Sequence, residues 1–289
     1  MDSNRNGIAL DRVALDSAGR DSTALDRIDF ITTGDGYRIA TRLDGDARRP
    51  VLILANSIAT DHRMWDGQVA ALSEHFRLLR YDMRGHGRSD APSGPYSLDR
   101  LGRDVVELID ALGIDRAHFC GLSLGGFVGQ WLGLRAPHRI DRLILSNTAA
   151  HLGPAPQWDA LIRQVLDQRD MTAMADMFIG NWFPPHMRDA QPELIEGFRK
   201  TILATSPEGL AGSFAVVRDA DLRRSNALIE APTLVIGGRD DTVTLASHSE
   251  AIADTVPGAR LVLMPGVHML NVERQDAFVD TVLDFLEAV

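Results

Sequence analysis

Six short runs rich in Val, Ile and Leu recur along the chain, at residues 51–55, 78–81, 117–120, 143–145, 233–236 and 261–264. Strands that are apolar at successive positions are buried on both faces, which is how strands of a parallel sheet read. Most of the intervening segments carry helical spacing instead. Residues 98–112 place Leu101, Val105, Leu108, Ile109 and Leu112 on one face. Residues 275–286 repeat that pattern with Phe278, Val279, Val282 and Phe285. Upstream, runs at 28–33 and 37–42 flank Gly34-Asp35-Gly36, the signature of a hairpin. The pattern predicts an α/β fold: a mostly parallel, eight-stranded sheet with helices on both faces.

One stretch interrupts the alternation. Residues 154–228 contain no strand pattern, but several helical stretches broken by Pro184-Pro185, Pro192 and Pro207. The expected organisation is therefore a polar extension at 1–27, a core from 28–153 and 229–289, and a helical cap at 154–228, inserted after the sixth strand. Trp158 and Trp182 fall within the cap, as do several Phe and Met, a composition suited to covering a pocket.

Charge and cysteine content narrow the function classes. Forty acidic residues against 30 basic ones give a formal net charge of −10, which repels nucleic acid and anionic membranes, and no basic run offsets it. Only one basic residue, Lys200, is a lysine, so lysine chemistry is confined to that position. The single Cys120 leaves neither an intramolecular disulfide nor a thiolate metal site. No apolar stretch nears the roughly 18 residues that span a bilayer, and residues 1–27 lack the apolar core of a signal peptide. The expectation is a cytoplasmic protein, with no nucleic-acid or membrane partner, acting as a monomer or a homo-oligomer.

The chemistry begins at Gly121-Leu122-Ser123-Leu124-Gly125-Gly126, between the strand run at 117–120 and a helical run at 127–135. A serine on a sharp strand-to-helix turn needs glycine on either side, where bulk would block backbone-to-backbone approach. Such a nucleophile requires a base, and the base an orienting acid. His268 follows the run at 261–264, and Asp240-Asp241 follows the run at 233–236, so both would emerge at the same sheet edge as Ser123. Asp240, three residues past Gly237, is the expected acid, with Asp241 a solvated neighbour or a helix cap. The position after residues 143–145 offers only Ser146 and Asn147. An oxyanion hole would combine the backbone N–H of Leu124 with that of Ile58, in the loop after residues 51–55. Gly85-His86-Gly87 imitates the start of a dinucleotide fingerprint without its third glycine and reads as a structural loop. With no HExxH pattern either, neither a metal nor a cofactor is expected.

Ser123 in Gly-x-Ser-x-Gly, a later Asp and a later His, in that chain order and with a helical insertion, resemble the α/β-hydrolase family over about residues 28–289. The stretches 54–65, 80–89, 94–98 and 118–126 are similar to the 3-oxoadipate enol-lactonases, including Asn56-Ser57 where His-Gly is common, as is Asn181-Trp182-Phe183 in the cap. That resemblance implies hydrolysis of a five-membered enol-lactone with an acetate arm, in the β-ketoadipate route of aromatic degradation. The extension at 1–27 and the lack of a proline after Asp240 depart from it. An anionic lactone bound by an acidic protein needs a local cation or donor. Cap candidates for it are His151, Arg163, His186 and Arg218, with Trp158 and Trp182 as apolar walls. The same scaffold also serves carboxylesterases, carbon–carbon bond hydrolases and cofactor-free perhydrolases. A ligand-binding receptor that keeps the pocket without turnover is the non-enzymatic reading.

Overall fold

A computed structural model describes residues 28–288; the extension read at 1–27 lies outside them. The described residues begin with the expected hairpin, β1 (Asp29–Thr32) and β2 (Arg38–Asp44), paired antiparallel. Then follow β3 (Val51–Ala55), α1 (Asp66–Leu72), β4 (Arg77–Tyr81), α2 (Leu98–Ala111), β5 (Ala117–Leu122), α3 (Leu124–Arg135) and β6 (Ile140–Ser146). Five helices come next: α4 (Ala155–Gln168), α5 (Thr172–Trp182), α6 (Pro185–Ala190), α7 (Pro192–Ala204) and α8 (Pro207–Asp219). The chain returns to the sheet with β7 (Thr233–Gly238), α9 (Ala246–Thr255), β8 (Arg260–Met264), α10 (Leu270–Glu273) and α11 (Gln275–Glu287).

The eight strands form one sheet in the order β1-β2-β4-β3-β5-β6-β7-β8. β2 joins β4 antiparallel, and every pairing from β4 to β8 is parallel. Burial follows position in that order. β7 is buried at every residue, as a strand covered on both faces must be, whereas edge strands β1 and β8 retain exposed positions. Helix α3 lies behind the centre of the sheet, and Leu124 to Gly133 are all buried. Its one buried polar side chain in that span, Gln130, donates to the carbonyls of Gly126 and Ala149 and accepts from Asn226. Gln130 thus has both its amide nitrogen and its oxygen paired, as a buried amide requires.

The helices α4 to α8 hold an aromatic cluster of their own. The rings of Phe178 and Trp182 lie 4.7 Å apart and those of Trp158 and Phe214 5.7 Å apart. Among the described residues no helix is long and apolar enough to cross a membrane.

Candidate active site

Parallel strands send all their C-terminal ends to one edge of the sheet, so the loops after β3, β5, β6, β7 and β8 converge there. Strand β5 runs two residues beyond its apolar run because Gly121 and Leu122 pair with Leu145 and Ser146 of β6. Ser123 then turns the chain with φ 57° and ψ −115°, a conformation that costs a non-glycine residue. Its N–H donates to the Ser146 carbonyl (3.0 Å), and its carbonyl accepts from Thr148 Oγ1 (2.8 Å) and from the Gly126 and Phe127 N–H groups. The flanking glycines are steric necessities. A Cβ on Gly121 would lie 2.1 Å from the Gly125 carbonyl oxygen, and one on Gly125 would lie 2.3 Å from that of Ala55. Cys120, next to this turn, is fully buried, and burial pushes its thiol pKa well up, so it serves as packing.

His268 follows β8 and is fully buried. Its Nδ1 is 2.9 Å from Oδ2 of Asp241. The acid at the site is therefore Asp241, which corrects the expectation of Asp240. Asp240 is exposed; its N–H donates to the Gly266 carbonyl, and its Oδ2 accepts from the Gly266 N–H at 3.2 Å. It clasps the exits of β7 and β8 on the outside while the next residue turns inward. The physical reason is strand length: β7 continues to Gly238, so the turn begins a residue later than a count from Gly237 assumes.

Asp241 has a full set of donors. Oδ2 accepts from His268 Nδ1, from Asn147 Nδ2 (2.9 Å) and from Thr244 Oγ1 (2.7 Å), while Oδ1 accepts from the Val243 and Thr244 N–H groups (2.8 and 3.1 Å). Burial alone would raise its pKa. The charge on His268, with hydrogen bonds from His268, Asn147 and Thr244, outweighs burial and holds this carboxyl well below the usual carboxylate range. Asn147, with φ 41°, is a residue the sequence offered only as an unused acid position. It ties the exits together: its N–H donates to Ile236 of β7 and its side chain to Asp241 and to the Val267 carbonyl. Asn tolerates the left-handed region, the one local signal that marked it.

An imidazole whose Nδ1–H is held by a carboxylate presents Nε2 as an acceptor. That Nε2 is buried without a protein partner among the described residues. His268 lines a cavity of about 330 Å³ beside Ile58, Trp158, Phe178, Asn181, Trp182, Phe214 and His248. The backbone N–H groups of Ile58 and Leu124 meet no protein acceptor among the described residues. The loop that carries Ile58 is fixed from both sides: Asn56 Nδ2 donates to the Tyr81 carbonyl, and the Asn56 carbonyl accepts from the Gly125 N–H.

Of the suggested substrate contacts, Trp158 and Trp182 line the cavity. The cationic candidates do not. Arg163 and His186 are exposed, and Arg218 pairs with Asp159 and Asp219. His151 Nδ1 faces the Ala220 carbonyl at 3.0 Å. Arg163, His186 and Arg218 miss the cavity because the faces of α4, α5 and α8 that line it carry Trp158, Phe178, Trp182 and Phe214 instead, and His151 lies in the segment before α4. His248, which does line it, was hidden by its place in an otherwise ordinary helical run.

Away from the pocket, Asp61, His62 and Asp82 bring ligand-type atoms within 4.8 Å of one another. Their bonds are already made: Asp82 accepts from the His62 N–H and Nδ1 and from the Arg88 N–H, and Asp61 holds Arg63. The Gly85-His86-Gly87 loop is built on those contacts, with neighbouring Arg84 bound to Asp104.

Residues 50–189 match the family model described as the alpha/beta hydrolase fold. The solved structure of a hydrolase from Pseudomonas aeruginosa is similar at a TM-score of 0.90 and 57% identity, covering 91% of this chain and all of that one. An enol-lactonase from Burkholderia xenovorans superposes at a TM-score of 0.87 with 39% identity, over 90% of this chain and all of its own. 3-Oxoadipate enol-lactonase 2 of Acinetobacter baylyi is 38% identical over 234 residues, which are 81% of this chain and 87% of that protein.

Proposed function

The chain belongs to the α/β-hydrolase family, and from that footing we propose that it is a serine hydrolase that opens the lactone ring of 3-oxoadipate enol-lactone. The observation that carries the chemistry is the buried Asp241–His268 pair, at the sheet edge where Ser123 stands on a strained turn. Similarity to enol-lactonases supports the choice of substrate.

In this mechanism His268 Nε2 takes the Ser123 hydroxyl proton as Oγ attacks the lactone carbonyl. Asp241 holds the imidazole in the required tautomer and stabilises the imidazolium that forms. The N–H groups of Ile58 and Leu124 receive the oxyanion. Collapse breaks the ring C–O bond and expels an enolate, a better leaving group than an alkoxide, which leaves with the proton from His268. Water then attacks the acyl-serine, with His268 again the base, and releases the ring-opened acid.

The test is turnover of enol-lactone generated in situ, followed by loss of its ultraviolet absorbance, beside a panel of p-nitrophenyl esters. A serine-directed phosphonate is expected to label the wild type and not Ser123→Ala; no adduct in folded wild-type protein would refute the nucleophile. Fast ester turnover without lactone turnover would instead favour a carboxylesterase. One observation speaks for that second reading: among the described residues, no Arg or Lys lines the cavity.

Asn147→Ala is expected to lower kcat on an activated ester by about 10- to 100-fold, because a hydrogen bond to a charged group contributes about 1.5–3 kcal/mol. Unchanged kcat would remove Asn147 from the set that positions Asp241.

A further inference from the structure

The lactone of the proposed reaction carries a carboxylate, and the cavity must receive it without arginine or lysine. What lines it instead is a group of uncommitted polar side chains: among the described residues, those of Gln157, Asn181, Trp182 and His248 have no protein hydrogen-bond partner. The indole of Trp158, by contrast, donates to the Leu152 carbonyl at 2.6 Å. His248 stands apart within this group as an imidazole that can take up a positive charge: its Nδ1 is enclosed by protein without a partner, which leaves Nε2 as the ring nitrogen open to the cavity.

Resting on the hydrolase reading, we propose that His248 is a specificity-determining residue that receives the carboxylate of the substrate's acyl chain. Its position suits the task. It sits in the first turn of α9, a few residues beyond Asp241, on the same cavity wall as Thr242, Val243 and Leu245. The titratable groups around it are Asp241 from the turn after β7, His151 from the segment after β6 and His268 from the loop after β8; the lining from α4, α5 and α8 is uncharged.

Burial holds the His248 pKa below its ordinary value, with Asp241 opposing that shift and His151 reinforcing it. With no anion beside it, the imidazole therefore favours its neutral form. A carboxylate seated against it favours the charged form, so binding an anion draws a proton from solvent. The sign follows: preference for an anionic acyl chain grows as pH falls, while a neutral chain gains nothing from this site.

The experiment compares kcat/KM for p-nitrophenyl hemisuccinate and p-nitrophenyl butyrate, which share a leaving group and differ in the terminal charge. Taking the ratio cancels the protonation state that His268 requires. In the wild type the ratio is expected to rise as pH is lowered from 8 to 6. In His248→Gln and His248→Leu it should fall about 10- to 100-fold, chiefly through KM of the hemisuccinate, and in His248→Gln it should no longer vary with pH. Equal losses on both esters would mean a structural role and overturn the assignment, as would an unchanged ratio. If folded wild-type protein hydrolyses neither ester and forms no phosphonate adduct at Ser123, the hydrolase reading fails and this assignment with it.

Discussion

Asp241→Asn is expected to lower kcat for ester or lactone hydrolysis by about four orders of magnitude, the scale on which a misoriented triad histidine fails. Asp240→Asn should leave kcat within about threefold. The two residues are adjacent in sequence and opposite in environment. Asp241 is buried, and its Oδ2 meets His268 Nδ1, Asn147 and Thr244 at once. An amide there offers the imidazole either an oxygen or an N–H, and the N–H turns the ring to the wrong tautomer. Asp240 is exposed, and the N–H of Gly266 to which its carboxylate binds is served equally well by an Asn oxygen. Steady-state kinetics on both variants decides the matter. A loss in Asp240→Asn as large as that in Asp241→Asn would restore the assignment from sequence.

Thermal melts give a second readout. The depressed pKa of folded Asp241 means that its ionised form contributes stability above the unfolded aspartate value of about 4, and that this contribution fades as pH falls toward the folded value. The gap in Tm between wild type and Asp241→Asn should therefore be widest near neutrality and narrow below about pH 4. A gap that stays constant with pH would show that the ionised carboxylate contributes nothing to the fold.

The Asp240–Asp241 outcome shows what sequence could and could not carry. The places of Ser123 on its turn and of His268 after β8 are legible because each depends on local chemistry: glycines around a turn, and a histidine just past a strand. The choice of acid depended on where β7 stops, and glycine gives almost no strand signal, so Gly237 and Gly238 hid the last two residues of that strand. The same blindness shortened β5 by Gly121 and Leu122. Cap side chains were harder still. Arg163, Arg218 and His186 are candidates by charge, but charge does not say which face of a helix meets the cavity. His248 and Asn147 depend on tertiary contacts: nothing near His248 in sequence distinguishes it from a surface histidine, and the tolerance of Asn147 for the left-handed region does not say what its side chain meets.

Gly125→Ala is expected to damage the site from behind and to do so in two measurable ways. The added methyl would lie 2.3 Å from the Ala55 carbonyl oxygen, 2.7 Å from its carbon and 2.9 Å from the Asn56 oxygen. All three are backbone atoms, so no side chain can swing aside. Helix α3 and the exit of β3 must move apart, and those two elements carry the N–H groups of Leu124 and Ile58. An oxyanion hole works with donors about 2.7–3.1 Å from the charge, and losing one donor costs about 10²–10³ in kcat. Overpacking of this kind also costs about 1–3 kcal/mol, which for a chain of this size lowers Tm by roughly 2–10 °C. Gly180→Ala, in α5, is the matched control: nothing lies within 4 Å of its added methyl, and replacing a helical glycine stabilises by up to about 1 kcal/mol. Melting curves and ester kinetics on the two variants separate the effects. Gly125→Ala with wild-type Tm and kcat would mean that the contact between α3 and β3 does not set the geometry of the oxyanion donors.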